Sequence, residues 1–433
     1  MPSHSIIAND RQAREVAATV EAIDHALSSE QVLKSIVEGL PREVIEGVRR
    51  SLVTERGELT EALGAYTEAK SGKSERLSAQ AGNDLGALMV IARIARGWSQ
   101  KELARRLFLP EQQIQRYEAE RYRSISLGNL IRVARALGVQ LNADLANSLE
   151  ESWIPYYEMS AGELKKVLKH ARDNGWLDKG DQSDESVIGQ IKRNVAEHVG
   201  EYGTPSLLRT GLNITDHSED WLLLSWKAQV TRRAMAIIQR DKVKYRPLDM
   251  SWLKKLVQLS VLEDGPLRAQ SLMAEHGIIL IAEPHIIGMK VDGAAFLIED
   301  TPIIALTLLR DSLDNFWFTL MHEVAHVVLH YRTGLASGFF DDVESPGVDE
   351  FEHEADQFAE NMLIPEELWT RSPARIAKTA EPIERLAKQL GIAPAIVFGR
   401  IRMERKNYAQ FSDKIGRGKV RKLLLPQSME ASK

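Results

Sequence analysis

The sequence predicts a protein that is mainly α with a small β-sheet, and three observations carry that prediction. Most of the 433 residues show apolar positions at helical spacing, punctuated by Gly-, Pro- and Ser-containing breaks. Three short apolar runs, 277–282, 293–298 and 301–307, are bounded by Gly, Pro or charge and read as strands of one sheet. The chain is also too long for one ordinary core, so it divides into several domains.

In chain order the expected parts are a helical N-terminal region (1–80) that ends near Ser71-Gly72-Lys73-Ser74, and a compact, sharply punctuated helical unit (81–148). A helical connecting region (149–248) follows, whose Trp and Tyr residues read as core. Next come the sheet and two long helices (249–372), a further helical pair (373–413) and a loose basic tail (414–433).

Composition narrows the chemistry. The chain has no cysteine, which excludes disulfides, thiol nucleophiles and thiolate metal sites, so a bound metal must be held by His, Asp or Glu. A net charge of −5 argues against a globally basic nucleic-acid coat but leaves room for a local basic face. Residues 1–27 mix acids and bases and lack the apolar segment of a secretion signal. The longest apolar runs, such as 278–282 and 302–309, are far too short to span a bilayer. The expectation is a soluble, cytoplasmic protein with no membrane attachment.

Within 81–148, Ser99 precedes a helical run with Glu102 three residues on, the pattern of a reciprocal capping box. Pro110 opens a second helix, where its missing N–H costs nothing. Only Phe108 and Leu109 separate the two helices, with small Ala104 at their crossing and Ile114 set to fill the core. Two helices joined this tightly describe a helix-turn-helix. Across about 84–146 the chain resembles the XRE (lambda-repressor-like) family. The run 111–117 and the later Tyr122 are similar to its antitoxin-type members. One departure is Phe108, at the turn position where that family usually has glycine; a positive φ is unfavourable there, so an altered turn is expected. Gln112, Gln113 and Arg116 are the candidate base readers, since glutamine pairs with adenine and arginine with guanine. Arg121 and Arg123 suit phosphates. Such a domain can instead serve protein contact.

The second motif is His322-Glu323-Val324-Ala325-His326. On a helix with about 100° per residue, His326 falls about 40° from His322, Thr319 about 60°, His330 about 80° and Glu323 about 100°. The rest of the circumference, including Phe316, Trp317, Leu320, Met321, Val324 and Val327, is apolar. A narrow buried stripe of ionisable groups is costly unless something satisfies it, and a divalent cation does so. A core helix with its histidines bonded to backbone carbonyls is the plainer alternative. The next helix weighs against it. In Glu352-His353-Glu354-Ala355-Asp356-Gln357-Phe358-Ala359, residues Ala355, Phe358, Ala359, Met362 and Leu363 mark the buried face, and Glu352 lies within that arc. Glu352 is the expected third ligand, Asp356 the acceptor for a ligand histidine's second N–H, and Glu354 a solvated charge. His330 lies too far along the axis to ligate with the other two and reads as a structural or supporting residue. The loop 332–348 reads as a lid or a plain surface connection.

These two segments, with Leu363-Ile364-Pro365 and the lead-in Gly293-Ala294-Ala295-Phe296, resemble the ImmA/IrrE family of metallopeptidases over roughly 250–405. The resemblance implies an α+β zincin-like (gluzincin-type) metallopeptidase domain with Zn2+ held by His322, His326 and Glu352, and Glu323 as general base. It also implies cleavage of a helix-turn-helix repressor. The pair at 383–400, with Ala387, Gly391 and a short second helix, is a weaker echo of the DNA-binding motif. It is expected to pack on the peptidase domain, with Arg417, Lys419, Arg421 and Lys422 keeping DNA contact open.

Taken together, the expected function is a DNA-binding transcriptional regulator with zinc-dependent endopeptidase activity. Its partners are double-stranded DNA and a protein substrate, a helix-turn-helix repressor or antitoxin-type regulator, and a homodimer is one option. The competing reading is a repressor or antitoxin of a toxin–antitoxin or phage-defence locus whose zinc domain is a sensor or partner-binding module. Intact His322, Glu323, His326 and Glu352 favour catalysis.

Overall fold

The structure is a computed structural model, and it describes residues 7–73, 75, 78, 85–119, 122, 125–140, 160–177, 183–198, 217–241, 244–298, 300–331, 335, 339–340 and 349–425. Their contacts form two compact units, Met1–Leu33 with Arg50–Glu150, and Lys34–Arg49 with Glu151–Lys433.

The chain opens with α1 (Asp10–Ser28), α2 (Glu30–Ile36) and α3 (Arg42–Lys70). The helix-turn-helix unit follows as α4 (Leu85–Ala95), α5 (Gln100–Leu107), α6 (Glu111–Ala119) and α7 (Leu127–Leu137). Much of 1–80, expected to form a region of its own, instead shares a core with these four helices, while Lys34–Arg49 belongs to the second unit. Ala62, Ala65, Tyr66 and Ala69 of α3 belong to one cluster with Met89, Leu103, Ile114 and Val133. The stripe on α3 is too narrow to bury itself alone, and α4–α7 supply the missing partner surface.

A buried ion pair fixes α4 against α6. Arg93 donates to both oxygens of Glu118 at 2.6 and 2.8 Å, and to the carbonyls of Trp98 and Ala8 at 2.7 Å each. Gln100 donates a further bond to Glu118 at 2.8 Å. Each guanidinium nitrogen and both carboxylate oxygens are bonded, the condition under which a buried ion pair is tolerated.

The expected capping box forms only by half. Ser99 accepts from the Glu102 N–H at 3.1 Å, but the Glu102 carboxylate turns to Arg105 and Arg106, at 2.8 and 2.7 Å. Two guanidiniums outbid one backbone amide. The turn after α5 is also not rearranged. Phe108 itself takes the left-handed conformation, φ 55° and ψ 42°, its N–H closing the helix on Ala104 and Arg105 carbonyls. Phe108 is 93% exposed, so its own side chain offsets none of the backbone strain. Replacing Phe108 by Gly should therefore raise the unfolding midpoint of this unit by about 2–4 °C, read by circular dichroism melting. An unchanged or lower midpoint would mean that the ring stabilises the turn.

The second unit holds α8 (Ala161–Asp173), α9 (Asp184–His198), α10 (His217–Asp241), α11 (Leu253–Gln258) and α12 (Gly265–Glu275). These lead into β1 (Ile279–Ala282), β2 (Gly293–Ile298), β3 (Thr301–Leu306), α13 (Leu313–Leu329), β4 (Phe339–Phe340) and α14 (Asp349–Leu363). The sheet order is β1-β3-β2-β4, with β1 parallel to β3 and the other pairs antiparallel. The two-residue β4 adds to the three strands expected. Ile279, Ile281, Ala294, Phe296, Ile303 and Ala305 face one way and share a core with α8, α9 and α10. Strand β3 is buried along its whole length, because α13 covers the opposite face. That double cover explains why the strands read as continuous apolar runs rather than alternating ones.

Helices α8–α10, expected as a connector (149–248), are thus one layer of this unit. Glu283, just past β1, ties them down. Trp176 and Arg233 donate to its carboxylate at 2.8 and 2.6 Å, and Trp226 donates to its carbonyl at 3.0 Å. Burial pushes the Glu283 carboxyl up, and Arg233 opposes that shift.

The C-terminal elements are α15 (Glu366–Arg371), α16 (Glu381–Leu390), α17 (Pro394–Glu404) and α18 (Val420–Leu424). Gly391 ends α16 in the left-handed conformation, and α17 lies against α13 so closely that a Cβ on Gly399 would meet Asp314 Cβ at 2.6 Å. The tail, expected to be loose from 414, is ordered to Leu425. Asp311 accepts the N–H groups of Val420 and Arg421 at 3.0 and 3.1 Å, and Val420 is buried. The Arg421 guanidinium is bound to the Leu308 carbonyl at 2.8 Å rather than held out as a free basic group. Residues 426–433 lie outside the described residues. Among those described, no helix is long and apolar enough to cross a membrane.

Candidate functional site

Helix α13 presses its apolar arc (Phe316, Trp317, Leu320, Met321, Val324, Val327) into the unit's core, and its polar stripe is buried as well. His322, Glu323, His326 and His330 are each no more than 3% exposed. Helix α14 lies across that stripe, with Ala355, Phe358, Ala359 and Leu363 buried. This brings Glu352 Oε2 to 3.0 Å from His322 Nε2 and Glu352 Oε1 to 3.4 Å from His326 Nε2, while the two Nε2 atoms are 3.1 Å apart. Among the described residues, His322, His326 and Glu352 are the group of three whose ligand atoms converge in this way. Asp356 Oδ1 lies 2.9 Å from His322 Nδ1.

These atoms fit a metal. A carboxylate only accepts, so Asp356 draws the His322 hydrogen to Nδ1 and leaves a lone pair on Nε2. That lone pair, the Nε2 of His326 and the Glu352 carboxylate all point at one place. Burial pushes His326 down to about 4, with Glu352 opposing, so its ring is neutral as a ligand's must be. Burial raises the Glu352 carboxyl, but the imidazoles of His322 and His326 beside it outweigh that and hold it well below the usual carboxylate range. Ligand atoms on a tetrahedral zinc, with bonds of ~2.0–2.1 Å, sit about 3.3 Å from one another. The separations above are of that size.

Glu323, 1% exposed, is fitted against the first residue of β2. A Cβ on Gly293 would lie 2.5 Å from Glu323 Oε1 and 3.0 Å from Thr319 Cγ2. Nothing in the sequence beyond a glycine at a strand start pointed to this contact. Gly293→Ala is expected to displace the Glu323 carboxylate and lower any hydrolysis that depends on it by about 10²-fold, with metal content unchanged. Full activity in that variant, measured beside its zinc content, would show that the carboxylate has room to spare.

Glu354 differs from expectation. It is not a solvated charge but half-buried, with Oε2 3.1 Å from His330 Nε2. The wheel put it on the flank of α14, and the flank is covered because α13 carries His330 one turn past His326. The loop 332–348 lies outside the described residues except for Leu335 and the two residues of β4.

In the first unit, Gln112 and Arg116 are exposed on α6, whereas Gln113 is half-buried and donates its amide to Tyr117 Oη at 2.6 Å. Ile114, Tyr117 and Glu118 form the inward face of that helix. Arg121 and Arg123 lie outside the described residues.

Geometry therefore defines two things: a helix-turn-helix unit, and an α+β unit that joins two helices through a His-His-Glu cluster. Comparison with known families agrees. Residues 91–143 match the family model described as helix-turn-helix, and residues 274–401 match that of the IrrE N-terminal-like domain, a peptidase family. The chain thus combines an XRE-type helix-turn-helix domain with an IrrE-like domain. No curated protein and no solved structure matches it.

Proposed function

We propose that the chain is a DNA-binding transcriptional regulator whose IrrE-like domain is a zinc-dependent endopeptidase acting on a repressor or antitoxin-type regulator. The observation that carries this reading is the convergence of His322, His326 and Glu352 beside a buried Glu323. His322, His326 and Glu352 would hold a zinc ion, which would supply Lewis acidity for acidifying a water and polarising a scissile carbonyl. Glu323 takes the proton of the attacking water on its carboxylate and returns it to the leaving amide nitrogen. Asp356 keeps the His322 ring in its ligating orientation. The helix-turn-helix domain supports binding to duplex DNA, with Gln112 and Arg116 as exposed candidates for base edges and Arg121 and Arg123 for phosphates.

Mass spectrometry of helix-turn-helix regulators incubated with the zinc-loaded protein tests the peptidase half. Defined fragments that appear with wild type and not with Glu323→Gln are expected. Intact regulators throughout would count against the reading. Anisotropy titrations test the DNA half, with Arg116→Ala expected to relax base preference at particular positions.

A further inference from the structure

His330 takes no part in the ligand set, yet it is 2% exposed and held from three sides. Its Nδ1 lies 3.1 Å from Nδ1 of His326, and its Nε2 lies 3.1 Å from Glu354 Oε2. Phe351, one turn before Glu354 on α14, meets the ring edge-on at 4.7 Å between centroids and 72° between planes. The helix sets this up, because His330 closes α13 four residues past His326 with its N–H on the His326 carbonyl at 3.0 Å.

The hydrogens in this row can run in one direction only if His326 is to ligate. A carboxylate oxygen accepts and does not donate, so Nε2 of His330 carries hydrogen and donates to Glu354. Nδ1 of His330 then holds the lone pair and accepts from Nδ1–H of His326. That leaves the lone pair of His326 on Nε2, the atom turned toward His322 and Glu352. The reverse order would put hydrogen on the ligating nitrogen and a lone pair against the carboxylate.

We propose that Glu354 and His330 are positioning residues for the metal, a relay that fixes the tautomer and ring angle of His326 as Asp356 does directly for His322. The inference rests on the metal reading above and extends it. Each ligand histidine has its own carboxylate on α14, one reached directly and one through an imidazole. Partners of this kind raise ligand basicity and commonly change metal affinity by about 10–100-fold.

The test is zinc affinity by chelator competition in the full chain, for wild type, His330→Ala, His330→Asn, Glu354→Ala and Asp356→Ala. His330→Ala and Glu354→Ala are each expected to weaken zinc about 10–100-fold while still binding one ion at saturation. Because the two act in series, the double variant should be no weaker than His330→Ala, whereas adding Asp356→Ala should weaken it further. His330→Asn offers an amide oxygen near the old Nδ1; it should restore most of the affinity and make zinc binding indifferent to Glu354. The visible spectrum of the cobalt-substituted protein should shift in Glu354→Ala, which changes no ligand. Wild-type affinity in Glu354→Ala, at a half-buried position that tolerates the change, would overturn the relay even if His330→Ala fails to fold. Absence of zinc binding in wild type would overturn the metal reading itself, and the relay with it.

Discussion

Glu352→Ala is expected to empty the metal site, with zinc affinity lower by about 10³-fold, since one of three protein ligands is lost from a total binding free energy of roughly 10–16 kcal/mol. The geometry makes the loss severe. His322 and His326 remain with their Nε2 atoms 3.1 Å apart and no carboxylate among the ligand atoms, so a cation would be held by two imidazoles alone. His326→Ala should do the same and also remove the contact to His330. Metal analysis of the purified variants reads the effect directly. A second measurement separates metal loss from misfolding. A chelator should lower the melting temperature of the wild-type second unit by several degrees, as expected when a tight ligand of the native state is withdrawn. The same chelator should leave the Glu352→Ala melt where it is. Stoichiometric zinc in Glu352→Ala would refute the ligand set.

The other large effect falls on chemistry rather than on metal. Glutamine at position 323 keeps the length and shape of glutamate but cannot take a proton from water, so hydrolysis should drop by about 10²-fold or more. Zinc content should stay at the wild-type level, because Glu323 is not among the converging ligand atoms. Operator affinity should also hold, since the helix-turn-helix domain belongs to a different compact unit. This separates the two functional readings in cells. A regulator that works by proteolysis loses induction of its locus with Glu323→Gln. Normal induction by a zinc-loaded Glu323→Gln protein would sink the peptidase and leave a zinc-dependent sensor or partner-binding module in its place.

Much of this molecule could be read from local pattern. The 3.6-residue period put His322, His326 and His330 on one stripe of one helix, and the same period put Glu352 toward the buried side of α14. Ser99, Pro110 and the two-residue turn mark the helix-turn-helix from sequence alone. These features are legible because neighbours along a helix are neighbours in space, so spacing alone fixes relative direction. The fold class follows from the same logic, with short bounded runs marking the strands.

Other features depend on elements brought together from distant parts of the chain, and for these the pattern is silent. Glu354 looked solvent-facing because a wheel describes one helix in isolation. The rotation and depth at which α14 lies on α13 bury its flank against His330. Gly293 precedes Glu323 by a strand pair and a loop, and only the stacking of β2 beneath α13 makes its missing Cβ matter. The N-terminal helices and the supposed connector looked independent because their apolar stripes name no partner. Packing assigned α1 and the C-terminal part of α3 to the helix-turn-helix, Lys34–Arg49 to the second unit, and the connector to the sheet. Phe108 shows the converse limit: a positive φ is intrinsically unfavourable for phenylalanine, yet the turn keeps it, because the closure of α5 and the burial of Ile114 across the turn outweigh a local penalty of about 1–2 kcal/mol. Spacing along the chain therefore told which groups share a face, whereas the choice of partner for each face rested on shape complementarity and on total buried area, which are summed over the whole fold and carried by no single segment.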